Sequence, residues 1–247
     1  MILCMKDNKN NKANFDVIQK HSIFARKERM ETSPHTLLQF VKKNEFIRIT
    51  GGTLPHWHQT GKVQFVTFRL ADSLPKAKLE EWKTLKTQWL EAHPKPWDDN
   101  AKREYSLFFG EKMEGWLDAG HGSCILQYED VRKIVFDALL FFHGRRYVLH
   151  HFVVMPNHVH LLATPIGEDT VTRSLGSVKR FTSIAINRML GRSGAVWQRL
   201  VFDRLVRGWK DYERYVNYIK SNPQALPPNT YSLWSLIDNP TEKDNSE

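Results

Sequence analysis

Apolar positions recur along the chain with two spacings, one near two residues and one near three and a half. Residues 62–72, "KVQFVTFRLAD", carry β-branched and aromatic side chains almost without interruption, which predicts a buried strand. Residues 73–94 then place Leu79, Trp82, Leu85, Trp89 and Leu90 at helical spacing. The Trp- and Pro-containing "HPKPWDD" breaks that helix, and a second helical piece follows over 101–117. "DAGHGSC" reads as a turn. Residues 128–144 set Val131, Ile134, Val135, Ala138, Leu139 and Phe142 on one stripe, the mark of an amphipathic helix. Two strands follow, "RRYVLHHFVVMP" and "HVHLLATP", each stopped by a proline. The short "MPN" between them predicts a hairpin. A helix over 170–190, an extended segment "VWQRLVFDRLV" and a helix over 209–222 complete the pattern, the last ended by Pro223 because a residue before proline avoids helical geometry. A short helix between Pro34 and Lys43 also fits.

The order strand, helices, strand, strand, helix, strand, helix predicts an α+β fold, an antiparallel sheet with helices packed on it. Residues 1–35 are rich in Lys and Asn, lack periodicity and read as a disordered tail, with Met30 an alternative start; 236–247 read as a polar tail. There is no internal repeat.

Composition narrows the class. The chain of 247 residues is 41% hydrophobic, ample for a buried core. Its two cysteines, Cys4 and Cys124, have no zinc-like or disulfide-framework spacing, which points to a reducing cytoplasm. The apolar start is too short for a signal peptide, and no apolar window is long enough for a membrane helix. The net charge of +9 points to an anionic partner.

Within "HVHLLATP", His158 and His160 lie two residues apart, so a strand projects both from one face while Val159 and Leu161 take the other. The pair is either half of a metal site or two ordinary strand histidines. His150 and His151 read as solvated or hydrogen-bonded core positions. On the last helix, Tyr212, Val216 and Ile219 form the core stripe, with Tyr215 at its border. Tyr218 falls outside it and is adjacent to Asn222, four residues on. These are either an ordinary surface tyrosine and a helix-terminal asparagine, or a phenol and a carboxamide aligned for chemistry. In the second case His158, His160 and the Asn222 oxygen offer three ligands of mixed nitrogen and oxygen character, suited to Mn2+ or Mg2+, and a phosphate bound there becomes a target for the phenol.

"VVMPNHVHLL" followed by "YVNYIKSNP", with "VWQRLVFDRLVR" between them, resembles the REP-associated tyrosine transposases, one-tyrosine members of the HUH endonuclease superfamily. The resemblance covers residues 50–235. It implies a ferredoxin-like core with the histidine pair on a central strand, His158, His160 and Asn222 as metal ligands, and Tyr218 as nucleophile. It further implies cleavage of single-stranded DNA beside hairpins through a 5′-phosphotyrosine, by a monomer or a homodimer in the cytoplasm or on the nucleoid. The chain departs from compact members by residues 70–146, a helical insertion after the first strand, expected to leave the chemistry unchanged.

Charge is concentrated between the two motifs. Residues 171–220 hold eleven Lys or Arg against three acidic residues, eight of the nine excess charges of the chain. Arg173, Lys179, Arg180, Arg199, Arg204, Arg207, Lys210 and Arg214 are the predicted DNA contacts, of the kind that set affinity more than sequence preference. Trp197 and Phe202 fit either base stacking or core packing. Two other functions fit the same residues: a catalytically silent hairpin-binding protein, and a metal phosphodiesterase that uses water.

Overall fold

The structure, a computed structural model, describes residues 38–42, 48–50 and 56–236. The predicted N-terminal tail and nearly all of the polar C-terminal tail lie outside the described residues. The elements in chain order are β1 (Arg48–Thr50), β2 (His56–His58), β3 (Gln64–Arg69), α1 (Lys76–Ala92), α2 (Asp99–Asp118), α3 (Glu129–Phe142), β4 (Tyr147–Val154), β5 (His158–Pro165), α4 (Val171–Met189), β6 (Phe202–Leu205), α5 (Trp209–Ser221) and β7 (Ser232–Ser235).

The main sheet has five antiparallel strands in the order β6-β3-β5-β4-β7. Without β7 this is the strand order of a ferredoxin-like βαββαβ unit, and β5 is the middle strand of the five. The three helices α1 to α3 fill the connection between β3 and β4, as the spacing predicted. β1 and β2 pair as a separate two-stranded sheet.

Side-chain alternation gives the sheet two buried faces. Val66, Phe68, Val159, Leu161, Leu149 and Phe152 point to one, which α3 covers with Val131, Val135 and Leu139 and α4 with Val171, Leu175, Val178 and Ile186. Phe65 and Leu162 point to the other, where α5 lays Tyr212, Tyr215 and Ile219. Helices α2 and α4 start on a side-chain cap: Asp98 accepts from the Ala101 amide at 2.7 Å and Thr170 from the Arg173 amide at 3.1 Å. Trp89, Tyr105 and Phe109 make a smaller aromatic core inside the α1–α2 segment. Among the described residues no helix is long and apolar enough to cross a membrane.

Four local features differ from the sequence pattern. The described part of the predicted 34–43 helix, residues 38–42, is not helical; it runs beside the sheet, Val63 donating to the Gln39 carbonyl and Val41 to that of Val206. Asn222 keeps helical angles (φ −52°, ψ −44°) although it precedes Pro223, and a 3-10 turn, Asn222–Ala225, continues the chain. Proline thus ends the α-helix without straightening the residue before it. Tyr215 is fully in the core, stacked on Phe65 with centroids 4.3 Å apart. Strand β7 was not anticipated; it pairs with β4 as an edge strand, its Trp234 stacked on the facing Phe152.

His150 is 2% exposed, its Nε2 2.8 Å from Thr164 Oγ1, and burial next to His151 and His143 pulls its pKa down to about 3. The folded state therefore resists a proton that the unfolded chain accepts near pH 6.5. Stability is whole above that pH and falls as pH drops toward 3. Urea midpoints at pH 7.5 and 5.0 should show a His150→Gln variant losing about 2 kcal/mol less than wild type between the two. Equal losses would show that His150 does not carry this dependence.

Candidate metal and phosphoryl-transfer site

β5 turns His158 and His160 to the α5 face, opposite Arg69 and Thr67 of β3 in register. Both histidines are buried, at 1% and 0% exposure. Phe65 forms the floor: the His160 ring lies stacked 5.5 Å from it, and Tyr218 meets it edge-on at 6.0 Å.

The state of each imidazole follows from its partners. The Asn157 amide nitrogen donates to the Leu117 and His121 carbonyls at 3.1 and 3.0 Å, so its oxygen faces His158 Nδ1 at 2.7 Å. An amide oxygen only accepts, which puts the proton on Nδ1 and leaves a lone pair on His158 Nε2. His160 Nε2 is 2.8 Å from His158 Nε2. Such a contact needs a proton on His160 Nε2 or a cation shared by both rings. Thr67 Oγ1, 2.7 Å from His160 Nδ1, serves either state because a hydroxyl both donates and accepts. Burial keeps the pair uncharged, with His158 pulled down to about 3 and His160 also well below its ordinary value, by burial first and His158 second.

Helix α5 brings the remaining groups. The Tyr218 hydroxyl is 3.3 Å from His160 Nε2. Burial, then the charges of Glu114 and Asp118, push the phenol's pKa well up; Asn222 and Arg204 act the other way. Asn222 Nδ2 donates to Asp118 Oδ1 at 3.2 Å. The Asn222 amide oxygen is buried and has no hydrogen-bond partner among the described residues. Asp118 Oδ1 is 3.7 Å from His158 Nε2, and one ligand atom each from Asp118, His158 and His160 lie within 4.8 Å of one another. Two facing imidazole nitrogens, a carboxylate and an orphaned amide oxygen form a donor set that fits a divalent cation.

No family model matches the sequence, and no curated protein matches it. Among solved structures, a REP-associated tyrosine transposase bound to a REP hairpin is similar to this chain at 16% identity and a TM-score of 0.40, over 70% of this chain and 73% of that one. The chemistry of the site rests on the residues just described.

The structure thus brings His158, His160, Tyr218 and Asn222 together. The basic residues divide. Arg204, on β6, stands in register with Phe65 on the site face, its guanidinium 4.8 Å over the Phe202 ring. Arg173, Arg180, Arg199, Arg207, Lys210 and Arg214 are exposed, and Arg214 forms a 3.4 Å ion pair with Asp211. The Lys179 ammonium binds the Gln198 and Arg199 carbonyls, and burial together with Arg69 lowers its pKa to about 8. It ties the loop before β6 to α4. Trp197 is core: its ring packs on Phe68 and its Nε1 donates to Thr182 Oγ1 at 2.8 Å.

Sequence reasoning missed Asp118, Thr67, Asn157 and Phe65. Asn157 had a signal, since it directly precedes His158 in the motif. Asp118 had none; it closes a helix at a polar turn and reaches the histidines only through the tertiary fold.

Proposed function

We propose that this protein is a metal-dependent endonuclease and strand transferase for single-stranded DNA, cutting beside hairpins. The observation that carries this reading is the Tyr218 phenol held 3.3 Å from His160 Nε2, within a donor set that fits a cation. A half-buried phenol beside two carboxylates, its pKa raised by burial and by both, is a poor nucleophile by itself. It becomes useful only where positive charge gathers, and the donor set supplies a place for it.

His158, His160 and Asn222 would hold Mn2+ or Mg2+, which when bound neutralises phosphate charge and favours the phenolate. The phenol proton leaves toward Glu114, the carboxylate whose charge bears on it most. Tyr218 Oη then attacks the phosphorus in line. The bond from phosphorus to the upstream 3′ oxygen breaks, and that oxygen takes back the proton held on Glu114 and departs as a 3′ hydroxyl. The downstream fragment stays on Tyr218 through a 5′-phosphotyrosine, and attack by any 3′ hydroxyl reverses the step, so no nucleotide hydrolysis is required. Arg204 approaches from β6 to bind the phosphate, while the exposed arginines of α4 and α5 hold the strand by charge.

The test is a 3′-labelled single-stranded hairpin oligonucleotide incubated with the protein and Mn2+. The label should move with the protein on a denaturing gel. Label in free, hydrolysed fragments alone would favour water as the nucleophile, and binding without cutting of any hairpin would favour a silent binding protein.

The small side of α2 adds a prediction. A Cβ at Gly110 would collide with the Arg204 guanidinium and sit 3.2 Å from the Phe202 ring. Gly110→Ala should keep the fold, because helix propensity improves by about 1 kcal/mol. It should displace Arg204 and lower cleavage about tenfold, the loss of roughly one charged hydrogen bond. Unchanged cleavage would remove Arg204 from the phosphate site.

A further inference from the structure

Resting on the proposed cation site, we infer that the helical segment between β3 and β4 is part of the metal centre and supplies its anionic ligand, Asp118. Two neutral imidazoles and an amide leave a divalent cation with no compensating charge in a buried pocket. Hard cations such as Mn2+ and Mg2+ prefer at least one carboxylate. Asp118 is in place: its Oδ1 is 3.7 Å from His158 Nε2 and within the 4.8 Å cluster of ligand atoms. Its hydrogen bond to Asn222 Nδ2 turns the amide so that Oδ1 is the atom left without a partner.

The segment is fastened to the histidine strand at this point. Asn157, in the turn before β5, holds the carbonyl of Leu117, the residue before Asp118, and that of His121, while its own oxygen sets the His158 ring. The Asn157 carbonyl in turn accepts from Leu70 at the end of β3. One buried side chain therefore fixes both the imidazole and the helix end that carries the carboxylate, the arrangement by which outer groups tune metal ligands. Asp118 is 41% exposed, so its replacement leaves the core intact.

Isothermal titration with Mn2+ alone, on the full chain, tests the assignment. Asp118→Ala and Asp118→Asn should both weaken Mn2+ about 10- to 100-fold, with unfolding in EDTA unchanged. The asparagine variant is decisive, because it keeps an oxygen that accepts from Asn222 Nδ2 and removes only the charge. Asp118→Asn binding Mn2+ like wild type, while His158→Ala binds none, would make Asp118 a mere support for Asn222 and overturn the inference alone. His158→Ala binding like wild type would overturn the cation site itself.

Discussion

Tyr218→Phe should abolish the covalent protein–DNA adduct and lower strand cleavage at least ~1000-fold, since the substitution removes one oxygen that no neighbour replaces. The ring stays on Phe65 and beside His160, whose centroid is 5.0 Å away, so the packing of α5 should survive. Mn2+ and hairpin binding should change little, because neither depends on the phenol oxygen. The variant separates the nucleophile from the rest of the machinery: a protein that still cuts at the wild-type rate after losing this oxygen uses another attacking group. Burial and the nearby carboxylates, which raise the phenol's pKa, also predict that wild-type cleavage in EDTA is undetectable.

Phe65→Ala should have the largest effect on stability, about 3–5 kcal/mol by urea denaturation. The ring is completely buried, stacked on Tyr215 at 4.3 Å and on His160 at 5.5 Å, and touched edge-on by Tyr218. Its loss opens a cavity beneath both the His160 imidazole and the phenol. Phe65→Leu, which refills much of the volume, should restore most of the stability and less of the cleavage, since the flat support is gone. A cost below about 1 kcal/mol for the alanine variant would mean that α5 settles into the gap, and that Phe65 does not hold the site together.

The legibility of this chain depended on range. The histidine face was readable because a strand's period is fixed: His158 and His160 two residues apart must project together, and Val159 and Leu161 oppose them. The adjacency of Tyr218 and Asn222 was readable from the helix period in the same way. Tyr215 was misplaced at the stripe's border because the α5 groove follows Phe65, a residue far away in sequence. Asp118 was invisible for the same reason, since its place beside the histidines depends on Asn157 and Asn222 meeting the end of α2. The helical segment ends with Asp118 Oδ1 3.7 Å from His158 Nε2, a proximity that no pattern in the sequence signals. Charge counting located the basic region but not its use: Lys179 binds backbone carbonyls and Arg204 faces the site, a difference that only burial and register reveal.

Attack of Tyr218 on phosphorus beside the His158–His160 pair leaves a nucleotide on the phenol oxygen. The most direct test is to map the covalent product by mass spectrometry: incubate wild-type protein with Mn2+ and a pool of single-stranded hairpin oligonucleotides, digest protein and DNA, and locate the phosphonucleotide. A 5′-phosphonucleotide is expected on Tyr218, and none when His158 is replaced by alanine. A nucleotide on any other residue, or cleaved DNA with free 5′ phosphates and no protein adduct, would contradict it.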